Sequence, residues 1–386
     1  MRRYLSWLMA LSAALTIGMS VLVVAPVSAG APERDRQLRA RITALLPDDY
    51  RARLAALDAR LDVSEGDPRD IAEAVIDPDD YECGTTELTT WLEASVADWT
   101  PEDFENVLVV ILLNLVFYDA LLFPEPAAGR YFGADGEYTG KLQRSFGNLQ
   151  RFWDIDGRDI EMVPAHGGTL RDVPRMTRVL QFVLELPEAE AAEAAAALAA
   201  IVDQPKYDYG NHPIFTFNAF AFTADGQEFP GAGIPTDKII MGDGMLDGFR
   251  AIGLSDVAPN AILGHEYGHH IQFERDLFAS PLPGPEATRR TELMADAFST
   301  YWASHKRGEN LRWNRVRKTL QTFYNIGDCA FDDVGHHGTP NQRLRAADWG
   351  HDIAVRSWPP TRVLPSLTFA RLFERKLPAL VAPDAG

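Results

Sequence analysis

Ala261-Ile262-Leu263-Gly264-His265-Glu266-Tyr267-Gly268-His269-His270-Ile271 is the stretch from which the rest of the chain is read. Its apolar residues recur at helical spacing, so a helix is expected, capped by Ser255 or Asp256 and tolerating Pro259 only near its start. His265 and His269 are one turn apart and emerge on one face. Glu266 is rotated by a single residue, so its carboxylate reaches the space in front of the two rings without competing with them. Two imidazoles and an adjacent carboxylate in this pattern are the arrangement that holds zinc and activates a water molecule. Ile262 and Ile271 are expected to face the core, and Gly268 to leave open space near the histidines.

Zinc requires a third protein ligand. Arg290-Thr291-Glu292-Leu293-Met294-Ala295-Asp296-Ala297-Phe298 supplies one. Glu292 and Asp296 are also one turn apart, and two carboxylates so placed repel unless a cation compensates them. Glu292 is expected to bind the metal directly. Asp296 is expected to accept a hydrogen bond from the outer nitrogen of a ligand histidine, His265, fixing its tautomer and raising its basicity. His270 points about 100° round the helix from His269, which suits it poorly as a third ligand and leaves it a supporting place behind the ligands. A last cluster, His336-His337-Gly338-Thr339-Pro340-Asn341-Gln342-Arg343, reads as a loop that reaches the site from the opposite side. A His or Arg from it, His337 foremost, is expected to donate to a developing oxyanion. His336 and Tyr267 are the other candidates, and Asp332 and Asp333 are candidate partners for the loop histidines.

Three segments, Gly264–Gln272, Arg290–Phe298 with Tyr301-Trp302-Ala303 behind it, and His337–Arg343, together resemble the neutral zinc metallopeptidase family found in bacteria. The resemblance covers about residues 235–350. It implies His265, His269 and Glu292 as zinc ligands, Glu266 as general base and Asp296 as the partner of a ligand histidine. The chain departs from the family pattern in two places: residues 30–230 are unlike its short N-terminal part, and Ala297 stands where the family often has cysteine.

The remaining sequence sets the frame. Arg2 and Arg3, the apolar run from Leu5 to Val24 and the small residues Val27-Ser28-Ala29 read as an export leader cleaved after Ala29. The alternative is a membrane anchor formed by residues 5–24. Removing residues 1–29 takes the formal charge from −18 to −20, an acidic balance that disfavours nucleic acid and anionic lipid. Cys83 and Cys329 are the only cysteines, and in an exported protein they are expected to pair; two buried thiols are the alternative. Thr100-Pro101-Glu102-Asp103 signals a helix start leading into the apolar stretch Val107–Phe123, which Asn114 and Asp119 interrupt and which reads as a buried helix. The alanine-rich stretch Pro187–Val202 reads as a helix, and Phe215–Phe222 and Lys238–Gly242 as strands, either of which could serve as an edge that holds an extended substrate. His166, His212, His305 and His351 are isolated, structural or exposed.

The expected fold class is therefore α+β and predominantly helical, a zincin-like metallopeptidase core with a small sheet beside the motif helix. Residues 1–29 form the leader, 30–210 a mainly helical region and 211–386 the catalytic region. The expected function is hydrolysis of peptide bonds in a peptide or protein substrate by an exported, extracellular or periplasmic zinc enzyme, with Glu266 as base. No nucleic acid and no lasting membrane association after leader cleavage are expected. Two rivals remain: an exported zinc-containing binding protein without activity, and a zinc amidase acting on a non-peptide or cell-wall amide.

Overall fold

The computed structural model describes residues 33–61, 78–331, 333 and 335–385; the leader at 1–29, the anchor alternative at 5–24 and Asp332 lie outside the described residues. The described chain is predominantly helical with one small sheet, an α+β arrangement. It begins with α1 (Glu33–Leu45), α2 (Tyr50–Leu61), α3 (Glu87–Ser95), α4 (Pro101–Leu113), α5 (Leu115–Leu122) and α6 (Thr139–Phe152). Strand β1 (Ile160–Ala165) is followed by α7 (Val173–Leu184), α8 (Glu188–Val202), β2 (Ala219–Phe222) and β3 (Asp237–Gly242). The remainder is helical: α9 (Asp243–Ala251), α10 (Ala258–Glu274), α11 (Gly284–Ser304), α12 (Trp313–Asn325), α13 (Pro340–Arg356) and α14 (Ser366–Leu380).

Local chemistry explains most of these boundaries. Thr100 and Asp103 form a reciprocal capping box with Pro101 in the first turn of α4. The apolar stretch read as one helix is two, because Asn114 adopts a left-handed conformation (φ 49°) that asparagine tolerates better than most residues. Pro101–Leu122 is long and apolar enough by composition to cross a membrane, but 67% of its apolar window is buried inside the fold. Asp119 is buried on α5 and ion-paired with Arg175 and with Arg178 (3.0 Å), so its charge is compensated.

The sheet has the order β1-β3-β2, with β1 parallel and β2 antiparallel to β3. It thus joins strands from both sides of residue 211. Phe215–Phe222 is not one strand. Residues Pro213–Thr216 form a 3-10 turn, and only Ala219–Phe222 pair, so the aromatic alternation breaks between Phe217 and Phe220. Since β3 is paired on both sides, it offers no edge for a substrate strand. Lys238 on β3 buries its ammonium against the last carbonyls of α5, Ala120 (2.8 Å) and Leu121 (2.9 Å). There it offsets the negative end of the helix.

Behind the sheet, α10, α11, α13 and α14 share one apolar core containing Tyr267, Phe298, Trp302, Phe369 and Phe373. Small residues let these helices approach closely. A Cβ at Gly268 would lie 3.1 Å from Ala295 Cα, and one at Gly350 would lie 2.4 Å from Ala297 O. Gly268 therefore seats α10 on α11 rather than opening space by the histidines, which corrects the expectation for that position.

Cys83 and Cys329 are bonded, across 246 residues of sequence. The bond ties the segment before α3 to the loop between α12 and α13. The Cys83→Ser/Cys329→Ser variant is expected to lose about 2–5 kcal/mol of stability, because so long a closure removes much unfolded-chain entropy. Denaturant midpoints measured with and without the bond test this, and equal midpoints would count against it.

Candidate metal centre

Helix α10 has no side-chain cap at its start: Val257 occupies the capping position, with Pro259 in the first turn. Asp256 is used instead to hold Lys318 (2.8 Å), which accounts for its failure as a cap. From this helix His265 and His269 project together, both almost fully buried, with their Nε2 atoms 3.0 Å apart. Their outer nitrogens are fixed. His265 Nδ1 donates to Asp296 Oδ1 (2.8 Å), and His269 Nδ1 donates to Gln272 Oε1 (2.8 Å). The Gln272 amide is oriented in turn by its donation to Thr291 O (2.8 Å), which leaves its oxygen to accept. Both rings accordingly present Nε2 as an acceptor toward the same point.

Glu292 faces that point from α11. One carboxylate oxygen lies 3.3 Å from His265 Nε2 and the other 3.4 Å from His269 Nε2, and both are buried without a hydrogen-bond donor. Glu266 lies in the same group: an atom from each of His265, Glu266 and His269 falls within 4.8 Å of the others, and all three residues are buried. Glu266 Oε2 also lacks a hydrogen-bond partner. This buried group could hold a metal ion. The two Glu292 oxygens reach one Nε2 atom each. Imidazoles and carboxylates converging in a dry interior, with the nearest guanidinium, Arg343 Nη2, 3.7 Å from Glu292 Oε2, are costly unless a proton or a cation sits among them.

The electrostatics state the same demand. Burial works against a charged His265, but hydrogen bonds and charges from Asp296 and Glu292 outweigh it and push the ring up to about 10. In the absence of a metal, a proton is thus drawn to the place a cation would fill. Burial, reinforced by the positive His265, holds His269 well below the usual imidazole range. Glu266 is pushed up to about 7, chiefly by burial, with His265 opposing and Glu292 adding to the shift.

Asp296 is held on its other side by Arg343 of α13, through Nε to Oδ2 (2.8 Å) and Nη2 to Oδ1 (2.7 Å). Burial alone would raise the Asp296 carboxyl; Arg343 and His265 more than reverse this and lower it. Arg343 therefore holds Asp296 from behind, gripping the carboxylate to which His265 donates. Its position follows from local sequence. Thr339 and Gln342 form a capping box with Pro340 in the first turn, so the segment read as loop is the start of α13.

The loop before it winds around a residue that sequence reasoning missed. Asp328, beside Cys329, accepts from His336 Nδ1 (2.5 Å), His337 N (2.8 Å) and His337 Nδ1 (3.0 Å). Asp333, one of the acids considered for this role, instead accepts from Gly335 N (2.7 Å). With Nδ1 donating to Asp328, the His337 ring faces its Nε2 away from that carboxylate. Burial opposes its charge, yet Asp328 and the charge of Glu292 raise it above the ordinary imidazole value.

Two further candidates leave the site. Tyr267 points to the opposite side of α10, where its hydroxyl abuts Gly157. His270 donates from Nε2 to Lys238 O (3.0 Å) and so pins α10 to β3 rather than supporting a ligand. Burial lowers it to about 4, which keeps it neutral. The isolated histidines have local partners: His166 with Asp243 (2.7 Å), His212 with Ser95 O (3.2 Å), His305 with Arg362 O (3.1 Å) and His351 with Ser304 (2.9 Å).

No family model matches this chain, and no curated protein or solved structure matches it.

Proposed function

We propose that this chain is a zinc-dependent peptidase with a zincin-like core, related to the bacterial neutral zinc metallopeptidases that its three motif segments resemble. The observation that carries this reading is the convergence of His265, His269 and Glu292 on one buried point, with the unpartnered Glu266 carboxylate beside it. Two imidazoles and one carboxylate match the ligand set of a catalytic zinc, which keeps a coordination position open. A structural zinc would be closed by four protein ligands, with Glu266 as the fourth, so zinc retention in Glu266→Gln separates that reading from this one.

Zinc bound here would supply Lewis acidity, acidifying a water molecule and polarising a scissile carbonyl. The protein's own residues do the rest. Glu266 takes the proton from the attacking water and later delivers it to the leaving amine. His337, braced by Asp328, donates to the oxygen that gains charge. Asp296 and Gln272 hold the two ring tautomers. The disulfide accords with an exported enzyme, as the leader-like residues 1–29 suggest.

Elemental analysis of the purified chain is expected to give about one zinc per chain. Glu292→Ala is expected to carry clearly less, while unchanged zinc would remove Glu292 from the ligand set. A peptide library should be cut by the zinc-loaded protein, not after chelation, and again after zinc is restored. A zinc-loaded protein that cuts nothing in the library would end the peptidase reading.

A further inference from the structure

Arg289 occupies the same face of α11 as Glu292 and Asp296, one turn before Glu292. It is 5% exposed, and its Nη1 is buried without a hydrogen-bond partner. Among the described residues no carboxylate lies within ion-pair distance of it. The arginines around it are treated differently. Arg290 pairs with Glu374 (Nε to Oε1, 2.8 Å), and Arg343 pairs with Asp296. Arg289 has only the face of the Tyr81 ring, with its guanidinium carbon 5.9 Å from the ring centroid. That contact is worth little against the cost of a buried, unpaired cation.

The surroundings place the stem of Arg289 beside the His337 loop. The Arg289 stem runs past Gly338, the residue after His337: a Cβ at Gly338 would lie 3.5 Å from Arg289 Cγ and 3.2 Å from Leu293 Cδ2. Gly338 also has φ +105°, a conformation that a side chain disfavours. Arg289 and Glu292 therefore share one helix face, and the Arg289 stem lies against the residue that follows His337. One helical turn is about 5.4 Å along the axis, and an extended residue spans about 3.3–3.6 Å. An anionic group one or two residues beyond the scissile bond spans that interval.

We propose that Arg289 binds a substrate carboxylate on the leaving-group side of the scissile bond, so that the enzyme selects peptides with a negative charge one or two residues beyond the cut. This rests on the peptidase reading above. The carboxylate is either the free C-terminus, which makes the enzyme a carboxypeptidase, or an acidic side chain. A guanidinium fork suits either by paired hydrogen bonds.

The test uses the full zinc-loaded chain carrying Glu266→Gln, so that binding is read without turnover. Three acetylated tetrapeptides of one apolar sequence are titrated calorimetrically: the free acid, the C-terminal amide, and the amide with one glutamate side chain at the last position. At least one carboxylate peptide is expected to bind tenfold or more tightly than the plain amide. Tight binding of the free acid alone assigns the C-terminus, and tight binding of the glutamate amide assigns a side chain. Adding Arg289→Met should abolish the difference without lowering the thermal midpoint, because it removes an unpaired buried charge. Should that variant fail to fold, Arg289→Lys keeps the charge but loses the fork and should shrink the preference. Equal binding of all three peptides with Arg289 intact overturns the proposal. So does an unchanged preference in a folded Arg289 variant. Cleavage of any of the three by the wild-type chain sustains the peptidase reading whatever the preference. A preference kept without cleavage by wild type leaves the carboxylate site standing and counts against that reading.

Discussion

Glu266→Gln is expected to retain zinc and to lower peptide turnover by about 10²–10⁴-fold, equivalent to about 3–5 kcal/mol of barrier. The substitution keeps the shape of the side chain and removes only its ability to take a proton. In the proposed ligand set Glu266 is not needed, since the two imidazoles and Glu292 converge on one point without it. Folding should not suffer either. The Glu266 carboxyl is buried, with one oxygen lacking any partner, and burial pushes it up to about 7. A neutral amide there avoids the cost of burying a charge. The measurement is zinc content together with kcat for a peptide that the wild-type chain cuts. Wild-type kcat in a zinc-replete variant would remove Glu266 as the base, and lost zinc would make it a ligand instead.

The parts of this protein that could be read from its sequence are those fixed by helical spacing. His265 with His269, and Glu292 with Asp296, each lie one turn apart, so periodicity alone places each pair on one face. The convergence of the two faces was inferred from charge, because neither pair is stable buried without the other. The apolar and alanine-rich runs likewise announced buried helices, and the two cysteines announced their bond. What was lost depends on long-range packing. Nothing in the spacing of Asp328 connects it to His336 and His337; only the closed loop between α12 and α13 brings the carboxylate to both. Gly268 was read as open space because the sequence does not show Ala295 lying against it. The aromatic run 215–222 does not form one strand, because its alternation changes register at Asn218-Ala219 and the chain turns there. One miss was avoidable. Thr339-Pro340-Asn341-Gln342 carries the capping box and first-turn proline of a helix start, and reading it so would have moved Arg343 from a loop onto α13. Arg289 carries no motif at all, and only its burial without a counter-charge distinguishes it.

Arg343→Met is expected to cost about 3–5 kcal/mol of stability and to weaken zinc binding about 10–100-fold, although Arg343 touches neither metal nor substrate in the proposed mechanism. The argument turns on Asp296. Its carboxylate is fully buried, receives two hydrogen bonds from Arg343 and one from His265, and has no other compensation of comparable strength. Methionine fills similar volume but leaves Asp296 as a buried anion facing the acid Glu292. The sign of the pH effect follows. In the native fold the Asp296 carboxyl lies below its ordinary value, so its contribution to stability is present above the unfolded value and is lost as pH falls through the folded one. In Arg343→Met the carboxyl moves up, so the variant's deficit is largest at neutral pH and shrinks as pH falls through the raised value, where Asp296 takes up a proton in the variant while the native carboxyl, held low, stays ionised. Denaturant midpoints from pH 7 down to about 4, near the ordinary aspartate value, read this trend directly. The pairing is tested separately by Arg343→Met/Asp296→Asn, which removes both charges while leaving an oxygen to accept from His265. It should be more stable than Arg343→Met alone, a non-additivity expected of residues in direct contact. Losses that simply add would mean that Arg343 supports the fold through packing, and that the orientation of His265 does not depend on it.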